Sequence, residues 1–222
     1  MKRTVLLTGG ARGIGAAIAA KFRDQGHEVW TPTRAELDLA SAESLENFIR
    51  GTMNRPVDVL VNNAGINVLS RIENLDAAAW QTMLQVNLTS PVRLTQAVLP
   101  GMQARGWGRI VCVSSIFSFI TKEKRAPYSM TKAALNAFAR SVAVEYGPGG
   151  ILANTLCPGY VDSAMTRQNN SPEEIAAIET TIPVRHMAQP EDIARVAYFL
   201  GSDENTYISG QAIVADGGFL AQ

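Results

Sequence analysis

Imidazole and thiol are scarce in this chain, with two histidines and two cysteines among 222 residues. His27 and His186 stand far apart in sequence, so neither a histidine-based metal centre nor a histidine triad is expected, and no metal is assigned. Cys112 and Cys157 each sit in an apolar strand-like run without metal-ligand spacing, which predicts buried free thiols. Net charge is lacking too: 20 basic and 20 acidic residues cancel, so nothing pulls the chain as a whole toward nucleic acid or a membrane surface. No apolar run approaches the length of a membrane span. Met1-Lys2-Arg3 leads straight into a strand-like segment with no secretory apolar region, and a soluble, cytoplasmic protein is expected. Repeats, low-complexity tracts and linkers are absent, so residues 1–222 are expected to form one domain around one large core.

What is present is an alternation of short apolar runs and helical patterns. Strands are expected over 4–8, 27–32, 57–61, 109–115, 150–157 and 211–215. Helices are expected over 14–25, 41–50, 76 to about 103 with an interruption at Pro91, 128 to about 146, and 190–200. Asn87 is a poor residue for the middle of a helix, which suggests a local kink or a specific task. The polar stretch 167–171 reads as a mobile loop and a candidate lid. This order predicts an α/β fold, a Rossmann-type doubly wound parallel sheet in three αβα layers.

Three stretches carry chemistry. Thr8-Gly9-Gly10-Ala11-Arg12-Gly13-Ile14-Gly15 lies between the first strand and first helix, where a helix N-terminus receives a phosphate. Its spacing, Gly9-x3-Gly13-x-Gly15, differs from the common G-x-G-x-x-G fingerprint. At the end of the second strand, where an NAD-binding chain would place an acid against the ribose 2′-hydroxyl, stand Thr33 and Arg34. Arginine can pair with a 2′-phosphate in a bidentate way, with Arg12 able to join, so NADP(H) is favoured over NAD(H). The third stretch is Ser115-x12-Tyr128-x3-Lys132. Tyr128 and Lys132 fall on one helical face one turn apart, and an ammonium beside a phenol is expected to lower its pKa toward the working pH.

Taken together and in this order, these motifs make the chain similar to the short-chain dehydrogenase/reductase family. Asn62-Asn63-Ala64-Gly65, Asn87, Pro158-Gly159 and Asp216-Gly217-Gly218 extend the match, which runs from Thr4 to Gly218. The resemblance implies that Tyr128 is the general acid in reduction and base in oxidation. It implies that Lys132 tunes Tyr128 and holds the nicotinamide ribose, that Ser115 hydrogen-bonds the substrate oxygen, and that Asn87 supports a water relay to Lys132. Gly9, Gly13, Ile14 and Gly15 would face the pyrophosphate, and Asn63, Ala64 and Gly65 the adenosine ribose. Pro158, Gly159, Val161 and Ser163 would close on the carboxamide end, Ser163 standing where the family usually has threonine. The chain departs from the family between Arg34 and Ser41, where one crossover helix is missing and any third strand is short. Asp38 and Leu39 are still expected near the adenine.

The implied activity is hydride transfer between nicotinamide and a carbonyl or secondary alcohol, on a 3-oxoacyl thioester, a nucleotide sugar or another small ketone. An NADP(H)-binding regulator without turnover is the alternative. Ile116, Phe117, Phe119 and Tyr160 suit either an apolar substrate face or the core. Lys122, Lys124 and Arg125 either steer an acidic substrate or form a solvated loop. The family also implies a homodimer or homotetramer, for which Ile213, Val214 and Phe219 offer apolar contacts.

Overall fold

The structure is a computed structural model that describes residues 1–52 and 55–222. Six strands form one parallel sheet: β1 (Thr4–Leu7), β2 (Glu28–Trp30), β3 (Val59–Asn62), β4 (Gly108–Val113), β5 (Ile151–Pro158) and β6 (Ala212–Ala215). Their order is β2-β1-β3-β4-β5-β6, with Leu6 beside both Trp30 and Leu60, and Ile110 beside Leu60 and Ala153. The chain leaves β1 in one direction to reach β2 and in the other to reach β3. The strand order therefore reverses at β1, which opens a crevice at the carboxyl ends of β1 and β3.

Period-two alternation sends each strand's side chains to two cores. Leu6, Leu60, Ile110 and Ala153 join one core with α2 (Ala42–Thr52), α4 (Ser90–Arg105) and α5 (Ala126–Tyr146), through Leu45, Leu94 and Leu135. Val5, Leu7, Val59, Val61 and Val111 join the other with α1 (Gly13–Asp24) and α8 (Pro190–Gly201), through Ile18, Phe22 and Ile193. Strands buried on both faces explain why the sequence shows near-continuous apolar runs. Both cysteines are buried and free, as their surroundings predict.

The shortened segment after β2 is a set of turns. The Glu36 carboxylate accepts the Thr33 N–H (2.7 Å) and hydroxyl (2.8 Å), and the Asp38 N–H donates to Ser44 Oγ (3.0 Å). No third strand intervenes before α2, and β2, three residues long, is the sheet edge. A short edge limits pairing with other chains.

Two expectations need correction. Pro91 does not interrupt its helix: α3 (Ala77–Leu84) continues through a π turn, Gln85–Thr89, into α4, with Pro91 in the first turn of α4. Proline has no N–H for the carbonyl four residues back, here that of Asn87, and its ring crowds that carbonyl. Widening by one residue relieves the clash, and the Ser90 N–H reaches Gln85 O instead. The expected loop around 167–171 is also wrong. Two helices occupy this region, α6 (Ala164–Asn169) and α7 (Pro172–Thr181). Ser163 caps the first, while Ser171 and Glu174 form a reciprocal capping box at the second.

Candidate active site

The crevice at the switch point is a cleft of about 500 Å³. Thr8, buried at the end of β1, ties its two sides together: its hydroxyl accepts the N–H groups of Asn63 and Ala64, both at 3.1 Å. The Asn63 amide donates back to Thr8 O (3.0 Å) and Gly9 O (3.2 Å). Gly9 and Gly13 hold φ of +68° and +53°, and a Cβ on Gly15 would lie 2.1 Å from Gly9 O. That turn admits only glycine at Gly15, and it leaves the N-terminus of α1 open to a phosphate, as a dinucleotide requires.

At the other end of the cleft Ser115, Tyr128 and Lys132 come together. Ser115 ends the segment after β4 and accepts the Phe117 N–H at 3.2 Å. Lys132 is 3% exposed, and its ammonium donates to Val113 O at 2.7 Å. Behind it Asn87, fully buried in the π turn, accepts the Ile66 N–H and donates to Ile66 O, both at 2.9 Å, and to Thr131 Oγ1 at 3.2 Å. A Cβ on Gly65 would lie 3.4 Å from both Asn87 Oδ1 and Lys132 Nζ, so these three groups converge.

The electrostatics differ from the simple expectation for a tyrosine–lysine pair. Burial lowers Lys132 from the ordinary 10.5 to about 8, against the weaker pull of Cys112 and Cys157. Burial also raises the Tyr128 phenol above its ordinary value, opposed by the nearby Ser115 hydroxyl and by the charge of Arg125. Lys132 Nζ stands 5.5 Å from the Tyr128 ring centroid and gives its hydrogen bond to Val113, so it does not depress the phenol here. A dry site weighs more than one cation whose own charge is already disfavoured.

Most of the sequence-derived positions face this cleft. Gly9, Arg12, Gly13, Ile14 and Gly15 line its phosphate end, with Asn63, Ala64 and Gly65 opposite. Pro158, Gly159, Val161 and Ser163 line the far wall with Ser115, Tyr128 and Lys132. Asn87 lies behind the wall rather than on it. Thr33, Arg34, Asp38 and Leu39 lie in the turns after β2, outside the lining, where Arg34 pairs with Asp38 at 3.3 Å and Leu39 O accepts the Ser90 hydroxyl. Sequence reasoning missed Ile66, Asn67, Ala164, Thr166 and Gln168, which also line the cleft. The first two directly follow the Asn62–Gly65 motif, and the last three sit on α6, in a region where the sequence predicts a loop. Of the apolar candidates, Ile116 and Phe117 are core, Phe119 is 52% exposed, and Tyr160 meets Phe117 and Phe219 edge-on. Ile213 packs into the core and Phe219 against Tyr160, which leaves Val214 as the exposed member of the proposed contact set.

Fold and cleft together define a class, an oxidoreductase that holds a nicotinamide dinucleotide across a doubly wound sheet. The family described as enoyl-(acyl carrier protein) reductase matches residues 31–220. The acetoacetyl-CoA reductase of Shinella zoogloeoides is 36% identical over 239 aligned positions, covering 98% of each chain. An oxidoreductase of the short-chain dehydrogenase/reductase family from Burkholderia thailandensis superposes with a TM-score of 0.90 at 34% identity, covering all of this chain and 94% of its own. A gluconate 5-dehydrogenase from Burkholderia cenocepacia, solved with NADP and tartrate, gives 0.88 at 26% identity, with coverage of 100% and 97%. This chain belongs to the short-chain dehydrogenase/reductase family. It is an oxidoreductase acting on CH–OH or keto groups with a nicotinamide cofactor. Among the described residues no helix is long and apolar enough to cross a membrane, and no cluster of metal-binding side chains occurs.

Proposed function

We propose that the protein is an NADP(H)-dependent carbonyl reductase in which Tyr128 supplies the proton. The convergence of Ser115, Tyr128 and Lys132 in the same cleft as the glycine turn carries this reading. The bound dinucleotide supplies the hydride. The Ser115 hydroxyl holds the substrate oxygen and stabilises the charge that develops on it. The Tyr128 phenol gives that oxygen its proton. Burial keeps the phenol protonated at neutral pH, which suits an acid in carbonyl reduction better than a base in alcohol oxidation. Lys132, with a pKa of about 8, holds the ribose of the cofactor and exchanges its proton near neutral pH. Asn87 fixes the Ile66 loop behind it.

Arg34 supports the preference for NADP(H): its exposed guanidinium, on the turn that follows β2, can exchange Asp38 for a 2′-phosphate. The acetoacetyl-CoA reductase and gluconate 5-dehydrogenase relatives support a carbonyl or secondary alcohol substrate. Assembly as a homodimer or homotetramer is supported by Val144, 79% exposed on α5, and by Val214. The test is consumption of NADPH with a panel of small ketones, oxo acids and 3-oxoacyl thioesters, by wild type and Tyr128→Phe. Turnover lost in the variant with NADPH binding intact supports the reading. Equal inactivity of both proteins, with binding intact, favours a cofactor-binding regulator.

A further inference from the structure

The loop 122–125 brings positive charge to the start of α5, and among the described residues no acid pairs with its lysines or its arginine. Arg125 is the residue before α5, a position where acids or small hydroxyls are favoured because the helix dipole is positive there. It makes no capping hydrogen bond, and no acid lies in the first turn. Its guanidinium, half-buried, has no hydrogen-bond or ion-pair partner among the described residues. Three other arginines that are at least partly buried are engaged: Arg3 with Asp203, Arg93 with Glu46, and Arg109 with the carbonyls of Gly108 and Asn205. A half-buried cation at a helix N-terminus, over an aromatic face and without a counter-charge, can take an anion from a bound molecule.

The surroundings fix where that counter-charge would sit. Arg125 lies 5.0 Å over the Phe117 ring, and Phe117 meets both Tyr128 and Tyr160 edge-on. Lys122 lies 5.2 Å over the Tyr160 ring, so each cation covers an aromatic, and the one under Arg125 touches the Tyr128 ring. The loop is held: Lys124 takes φ of +65°, its carbonyl accepts the Ser70 N–H at 3.1 Å, and Glu123, the one acid of the loop, faces Arg71 at 3.8 Å. Arg125 also precedes Tyr128 by three residues, about one helical turn or ~5 Å of rise. Its guanidinium stands 5.0 Å from the Phe117 ring, whose centroid is 6.4 Å from that of Tyr128, so a substrate that touches both groups must carry its anion on the same small molecule as its reacting carbonyl.

The geometry points to a keto acid as the substrate class, with Arg125 as the residue that selects it by pairing with the substrate carboxylate while the carbonyl meets Tyr128. This rests on the reductase reading above and narrows it. A 3-oxoacyl thioester carries its phosphates a full pantetheine arm away from the carbonyl and cannot satisfy Arg125 and Tyr128 together. Guanidinium and carboxylate match in a planar, bidentate pair.

The test uses matched pairs in which only the charge changes: pyruvate, acetoacetate and levulinate, each against its methyl ester, with acetoacetyl-CoA alongside. Wild-type protein is expected to prefer at least one acid over its ester by about 10- to 100-fold in kcat/KM. Arg125→Gln is expected to lower kcat/KM for the acids at least about tenfold more than for their esters, mainly through KM, and Arg125→Lys to keep part of the preference. No acid preferred over its ester, or equal losses on acids and esters in Arg125→Gln, overturns the proposal. Malonate binding to the NADPH complex, read by NADPH fluorescence, separates this proposal from the reductase reading. If no ketone is turned over but malonate binds to wild type and not to Arg125→Gln, the anion site stands and the reductase reading falls. If malonate binds both proteins equally or neither, the anion site falls.

Discussion

Replacing Lys132 by methionine should change how stability depends on pH. Lys132 is 3% exposed, and burial lowers its pKa from 10.5 to about 8. Each pH unit of separation between folded and unfolded pKa is worth about 1.4 kcal/mol, so the folded protein bears about 3 kcal/mol of penalty while the lysine is charged in both states. Below about pH 8 that penalty is constant. As pH rises from about 8 to about 10.5 the folded state gives up its proton while the unfolded state keeps it, and wild-type stability rises. Between about pH 7 and about pH 9.5 the gain is about 2 kcal/mol. Methionine has similar length and no charge, so Lys132→Met lacks this gain. Burial raises Cys112, to about 11, and Cys157, which makes the protein less stable at high pH, but both proteins contain them and subtraction removes most of their effect. Urea denaturation of both proteins from about pH 7 to about pH 9.5 should show the wild-type-minus-variant difference rising by about 2 kcal/mol. A flat difference would mean that the folded lysine titrates normally and that the site is wetter than its burial indicates.

Three further substitutions test other parts of the site. Asn87→Ala removes three hydrogen bonds at a fully buried position and leaves the Ile66 N–H and C=O unpaired, so the urea midpoint should fall by an equivalent of about 2–4 kcal/mol with unchanged slope. Gly15→Ala would place a methyl 2.1 Å from Gly9 O, and the backbone shift that follows should weaken NADPH binding by at least about tenfold in a fluorescence titration; unchanged affinity would refute the phosphate-turn assignment. Arg34→Ala should raise the Kd for NADPH by about tenfold or more and leave NADH unaffected. Thermal stability should barely move in that variant, because the Arg34–Asp38 pair is exposed.

Much of this was legible in the sequence because the signals were local and redundant. The runs around Val59–Asn62 and Gly108–Val113 could hardly be anything but buried parallel strands, and the glycines at 9, 13 and 15 marked the switch-point turn before any geometry was known. The missing crossover was visible as a missing length of chain. The start of α7 is also written in the sequence, as Ser171-Pro172-Glu173-Glu174, but its polar composition argues for a loop; a helix that buries only Ile178 lacks a strong apolar stripe. The π turn at Gln85–Thr89 depends on Pro91 acting on a carbonyl four residues away, and composition alone does not show how the chain will absorb that clash. The direction of the Tyr128 shift was missed for a different reason. Spacing places Lys132 beside the phenol, but only the packed structure shows that burial acts more strongly on both groups than they act on each other. Arg125 could be seen as a charge before a helix, and only its lack of a partner made it informative.

The central claim is hydride transfer with Tyr128 as the proton donor, and label transfer tests it most directly. NADPH carrying deuterium at its transferring position is incubated with the ketone and keto acid panel, and the alcohol products are read by mass spectrometry. The account predicts deuterium on the carbinol carbon with wild-type protein. With Tyr128→Phe it predicts a rate lower by about 10²- to 10⁴-fold at unchanged NADPH affinity. Label transfer by Tyr128→Phe at the wild-type rate, or no transfer by wild type across the panel while NADPH binds, would contradict it.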